Sequence, residues 1–194
     1  MIDTAIEKLK EQIKKAHDNT SQKLASNIYR GHLRSISADI EDAIALFIKD
    51  IIPAEYKLYL DSSVHIDKKK KRPDLLIVNE KNEVKAMVEI KSNMGYCRNA
   101  TEAINKMKAN HDKFLNKKVL ICEFSREVSQ AVIYDSSVKL FLISLTKENC
   151  TATNHAMNKA YAKQNGVFMF NLFSGWYWEL QDCEIRDFAA ELTF

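Results

Sequence analysis

Ile2, Ile6, Leu9, Ile13 and Ala16 fall four and three residues apart, which gathers them into one apolar helical stripe with lysine and glutamate on the other faces. The pattern breaks at 18–21, and a second helical stretch runs from 21 to about 30. Beyond Gly31, Ser37 reads as an N-cap. Ile40, Ile44, Phe47 and Ile48 then form the inward face of another helix, with Pro53 just past its end. Positions 56–66 alternate as a strand does. Leu75–Val78 and 84–91, parted by the polar turn 79–83, read as a hairpin. Helical spacing returns over 99–116, where Ala103, Ile104, Met107, His111, Phe114 and Leu115 lie on or near one side and Asn99 is the cap. The run 118–124 is a short apolar strand of the kind buried inside a sheet. Two more strands (138–145 and 167–172), a helix between them near 153–163 and a closing strand at 175–180 complete the chain. Trp176 and Trp178 alternate on that last strand, as core or interface residues.

Composition narrows the class. With 194 residues, 46% of them hydrophobic, the chain can build one domain with a core. Four glycines and two prolines are too few for a loop-rich all-β fold or a long linker. The formal charge of +3 is mild and selects no partner class. Cys97, Cys122, Cys150 and Cys183 form no CxxC pair, and the five histidines show no ligand spacing. Both facts argue against a zinc site and for incidental thiols in a reducing cytosol. The N-terminus carries Asp3 and no long apolar run. It reads as neither a signal peptide nor a membrane span, so a cytoplasmic protein with no membrane partner is expected.

The hairpin is where chemistry enters. Asp74 opens its first strand, and Glu89 and Lys91 lie near the end of the second, two residues apart and therefore on one face. Antiparallel pairing sets Asp74 beside Glu89. Two carboxylates and a lysine so placed suit metal-assisted phosphodiester cleavage. Hard oxygens hold Mg²⁺ with water left in its shell, and an ammonium orients the attacking water or offsets charge in the transition state. Paired acids resist joint ionisation, so a divalent cation is needed to hold them together.

In Pro73-Asp74 and Glu89-Ile90-Lys91, the residues Asp74, Glu89 and Lys91 match the motif of the PD-(D/E)XK nuclease superfamily, which the chain resembles over about residues 37–124. The helix, strand, strand, strand, helix, strand order is similar to that family's αβββαβ core. The resemblance implies an α/β, restriction endonuclease-like fold: a central mixed β-sheet flanked by helices, with a helical N-terminal extension and extra C-terminal strands. One domain is expected, made of an extension (1–36), the catalytic core (37–124) and additions to it (125–194). The resemblance further implies Mg²⁺, with Mn²⁺ as a substitute, held by Asp74, Glu89 and the Ile90 main-chain carbonyl. Lys91 would position water. Family members often add an acid from the preceding helix, and Glu41 is chosen over the more exposed Asp39 and Asp42, with Asp61 a weaker choice.

Lys68, Lys69, Lys70, Lys71 and Arg72 immediately precede the catalytic strand and are expected to attract DNA phosphates without reading sequence. Arg30 and Arg34 beside Gly31, and Ser92, Asn93 and Arg98 after Lys91, are further candidates for DNA contact. The implied activity is Mg²⁺-dependent endonucleolytic cleavage of double-stranded DNA, foremost by a restriction-type homodimer, since two-fold DNA sites match a two-fold protein. A repair nuclease such as a junction resolvase, and a non-catalytic DNA-binding module of the same fold, are the competing readings.

Overall fold

The computed structural model describes residues 2–21, 36–66, 69–93, 100–122, 129–146 and 150–194. The N-terminal stripe forms α1 (Ile2–Ser21), which runs through the polar segment 18–21 instead of stopping there. No glycine or proline lies in that stretch, and the low helix propensity of Asp, Asn, Thr and Ser alone does not end a helix held by an apolar face. The helix expected from 21 to 30 lies outside the described residues. The second described helix, α2 (Ser37–Ile51), buries Ile40, Ile44, Phe47 and Ile48 as the spacing requires, each worth about 1.5–3 kcal/mol when taken from water. Its cap is Ile36, with no side-chain capping bond, and Ser37 is the first helical residue rather than the N-cap.

The expected strand at 56–66 is two strands, β1 (Lys57–Leu60) and β2 (Ser63–Ile66), which enter different sheets. Asp61 turns the chain between them with φ +46°, a left-handed conformation that Asp tolerates better than most residues. The lysine run forms a third strand, β3 (Lys69–Lys71), antiparallel to β2. Next come the expected hairpin strands β4 (Leu75–Val78) and β5 (Val84–Asn93), then α3 (Thr101–Phe114) and β6 (Lys117–Cys122). Ala100 precedes α3, and Asn99 is outside the described residues. The remaining elements are β7 (Ser129–Tyr134), β8 (Lys139–Thr146), α4 (Ala152–Gln164), β9 (Val167–Asn171), β10 (Phe173–Ser174), β11 (Gln181–Asp182) and α5 (Ile185–Glu191).

The main sheet has the order β1-β4-β5-β8-β9, antiparallel from β1 to β5 and parallel from β5 to β9. β8 is buried along nearly its whole length, as a parallel strand covered on both faces must be. The strand expected at 118–124, as one buried inside a sheet, is not part of the main sheet and is covered on one face only. As β6 it lies in a four-stranded sheet of order β3-β2-β6-β7, with Val119 and Ile121 inward and Leu120 exposed. The strand parallel to β5 is β8, so α3, β6 and β7 all lie on the crossover between the two.

Two apolar cores result, one on each face of the main sheet. Residues of α1, α2 and α5 pack with Val88, Ile90, Phe141 and Ile143 on one face. On the other, α3 and the smaller sheet enclose Met87, Leu140, Leu142, Phe114 and Tyr134. Helices thus flank a central mixed sheet, and the carboxyl end of β5 emerges between the two layers.

Candidate active site at the end of the β4–β5 hairpin

Pro73 has no N–H to give a ladder and stands just before β4, the position a sheet tolerates. Leu75 is paired with Val88, so Asp74, one residue earlier, is opposite Glu89. Alternation then puts Asp74, Glu89 and Lys91 on the face that carries Met87 and the α3 layer. Past Leu75, the first β4 residue, the Ile90 N–H donates to Asp74 Oδ2 at 2.7 Å in place of a strand partner. A strand residue turns its N–H and C=O to the same neighbour, so the Ile90 carbonyl also faces the side that β4 has vacated.

Glu89 is only 9% exposed. Its Oε1 accepts from Lys91 Nζ at 2.8 Å, and Lys106 of α3 brings a second ammonium to 3.8 Å from the same oxygen. Burial pushes the Asp74 carboxyl above its ordinary range and the charge of Glu89 adds to it, against the Ile90 N–H, Lys91 and Lys106. Glu41 of α2 is raised too, first by burial and then by the charges of Asp74 and Asp61. It is half-buried, whereas Asp39 and Asp42 are exposed. Among the described residues no group of three or more His, Cys, Asp or Glu side chains gathers closely enough to hold a metal ion. Glu41 therefore feels the site through charge and does not complete a three-acid cluster.

The donor set still fits a hard divalent cation. Two carboxylates that repel one another stand beside a main-chain carbonyl, and Mg²⁺ binds through one or two carboxylates while keeping several waters. The pair calls for a compensating charge of two, which Lys91 and Lys106 supply here.

The expected DNA-contacting residues are spread unevenly. Lys69, Lys70 and Lys71 form an edge strand of the smaller sheet, not a turn, with Lys69 and Lys70 exposed. Lysines on an edge also block unwanted strand pairing. Arg72, exposed, reaches Asp61 at 3.3 Å. Ser92 is half-buried on β5, with its side chain on the opposite face from Lys91. Lys68, Arg30, Arg34 and Arg98 lie outside the described residues, as does the side chain of Asn93.

Trp176 and Trp178 are neither core nor strand. They lie in the turn that joins β10 to β11, stacked on one another at 5.3 Å and more than half exposed. Gly175 sets that turn at φ +84°, where an added Cβ would meet the Glu179 carbonyl oxygen at 2.5 Å. The sequence reading missed Lys106. Its signal was a lysine between Ile104 and Met107, at the margin of the buried face of α3.

A second polar group lies across the sheet. Ser144 on β8 is the register partner of Lys91, and its hydroxyl donates to Asn171 Oδ1 at 3.0 Å. The Asn171 N–H donates to Glu184 Oε2 at 2.7 Å, and Lys159 of α4 pairs with the other oxygen of Glu184. Burial works against ionisation of Glu184, yet bonds from His155, Lys159 and the Asn171 N–H outweigh it and bring its pKa down to about 2.

No protein-family model and no curated protein matches the sequence. Among solved structures the chain is similar to NucC of P. aeruginosa ATCC27853 in its cAAA-bound form, with a TM-score of 0.55 and 9% identity over 86% of this chain and 72% of that one. It is similar to NucC of E. coli MS115-1, also cAAA-bound, with a TM-score of 0.55 and 8% identity over 86% and 71%. Both have a restriction endonuclease-like fold, and the central mixed sheet flanked by helices is that fold. Among the described residues no helix is long and apolar enough to cross a membrane.

Proposed function

We propose that the chain is a Mg²⁺-dependent DNA endonuclease of the PD-(D/E)XK superfamily, with its active site at the end of the β4–β5 hairpin. The observation that carries this reading is the juxtaposition of Asp74 and Glu89 with Lys91 bonded to Glu89, on a restriction endonuclease-like fold. Asp74, Glu89 and the Ile90 carbonyl would hold the metal. When bound, Mg²⁺ polarises the phosphoryl oxygens and lowers the pKa of water in its shell. Asp74 is oriented by the Ile90 N–H, which fixes one carboxylate oxygen and leaves the other for the metal. Lys91, released from Glu89, would hydrogen-bond the attacking water. Glu41 adds negative charge nearby and favours cation entry. Lys69, Lys70, Lys71 and Arg72, two to five residues from Asp74 in the chain, would draw the DNA backbone toward it.

The setting we favour is a cytoplasmic restriction-type enzyme acting as a homodimer on double-stranded DNA. The test is digestion of linear plasmid and of four-way DNA with Mg²⁺, Mn²⁺ or chelator, beside the variants Asp74→Ala and Lys91→Ala. Metal-dependent cleavage that both variants lose is the expected result, and cleavage unchanged in both would sink the assignment. Preference for the four-way substrate would point to a junction resolvase. Tight DNA binding with no cleavage of any substrate would point to a non-catalytic module.

A further inference from the structure

We propose that Lys106 is a second working cation of the site, which holds Glu89 until a divalent metal binds and then contacts a DNA phosphate. The inference rests on the metal-dependent reading above. Lys106 Nζ stands 3.8 Å from Glu89 Oε1, the oxygen that Lys91 Nζ holds at 2.8 Å. Among the described residues its ion pair is with Glu89 and not with Glu102, one turn earlier on α3. Glu followed four residues later by Lys is the favoured pairing order on a helix, so the pull of the buried acid outweighs the local partner. Asp74 and Glu89 are thereby balanced by Lys91 and Lys106.

A divalent cation between the two acids changes that balance. Its two charges do what the lysines were doing, and both ammonium groups become surplus. The lysines differ in what they can do next. The Lys91 side chain is 28% exposed and reaches Glu89 along its own strand, whereas Lys106 is 65% exposed and arrives from a separate helix. Its long flexible stem lets the ammonium swing into solvent beside the metal ligands. A phosphodiester touching the metal would come within its reach, and a lysine binds phosphate as a point charge, without base preference.

The experiment uses Lys106→Ala and Lys106→Gln, at an exposed position where the melting temperature checks folding. Without DNA, Mg²⁺ affinity measured by calorimetry is expected to tighten about three-fold, because one competing charge on Glu89 is gone. With Ca²⁺ replacing Mg²⁺, affinity for a short DNA duplex is expected to fall about five-fold. The plot of log affinity against log salt should become shallower by about 0.9, the mark of one lost phosphate contact. Lys106→Arg should restore the DNA arm. Mg²⁺ affinity that is unchanged or weaker, or an unchanged salt slope, overturns the proposal. Should the wild-type protein show no Mg²⁺ binding that Asp74→Asn abolishes, the metal reading falls and takes this inference with it. Where that binding is present, the Lys106 variants decide the inference alone.

Discussion

Asp74 and Glu184 are both partly buried carboxylates that accept a main-chain N–H at 2.7 Å, yet their acidities are displaced in opposite directions. Glu184 is surrounded by donors. Asn171, Lys159 and His155 each favour its charged form, and it ties α4 and β9 to the start of α5. Asp74 has one main-chain donor and a carboxylate neighbour, and burial with the charge of Glu89 keeps its pKa up despite Lys91 and Lys106. The same residue chemistry thus serves as a brace in one place, and in the other stands buried beside a second acid with the two lysines offsetting only part of the penalty. Two acids side by side with Glu41 nearby are a cost to the fold, since burial and mutual repulsion disfavour their charged forms. The proposed cation site would account for them, and displaced acidities of this kind cluster at functional sites.

The widest separation between the two regions should come from Asp74→Asn. It is expected to lower Mg²⁺-dependent cleavage by about a thousand-fold or more, the scale of losing a group acting in the transition state. Thermal stability should rise by about 0.5–1 kcal/mol, as is common when a functional strain is relieved. Loss of stability with cleavage retained would reverse the roles assigned here. Glu184→Ala should do the opposite: it strands the buried Asn171 N–H and the Lys159 charge, at a cost of about 2 kcal/mol in denaturant unfolding. Cleavage per folded molecule should stay unchanged.

Acid should draw the two regions apart again. The folded pKa of Glu184, about 2, is below its ordinary 4.5. Its contribution is therefore full above pH 4.5 and lost as pH falls toward 2, an effect of about 1–2 kcal/mol after allowance for partial solvation. Asp74 and Glu41 have folded pKa values raised above 3.8 and 4.5. Their ionisation costs stability as pH rises through those folded values, and protonation relieves it. Melting curves of wild type and Glu184→Gln should converge by about pH 2, and a constant gap down to that pH would count against the brace. Smallest of all, Glu41→Gln should raise stability by a few tenths of a kcal/mol and reduce cleavage about ten-fold through weaker cation attraction, read as a higher Mg²⁺ requirement.

The hairpin and its trio were legible because period-two alternation and a short polar turn are local signals, and they fix which side chains meet. What sequence could not place was the destination of β6. Val119, Leu120 and Ile121 read as apolar on both faces, yet Leu120 faces outward because its partners are the residues of β2 and β7. Pairing with β2 spans more than fifty residues of chain and leaves no local mark. Asp61-Ser62 did carry a turn signal, hidden by the alternation on either side of it. The strand expected at 175–180 failed for a related reason: alternating aromatics were read as a face, while Gly175 and the bond from the Glu179 N–H to the Trp176 carbonyl make a turn. β7 and α5 also escaped notice, the latter because seven residues show too few periods to declare themselves.

The break at Asp61 has a mechanical consequence. The chain crosses from the main sheet to the smaller one at Asp61 and returns through Arg72, Pro73 and Asp74. The two crossings are pinned together by the Asp61 N–H on the Asp74 carbonyl at 2.8 Å and by Arg72 on Asp61. The lysine strand and a proposed metal ligand are therefore joined by two residues of chain and by this pair of bonds.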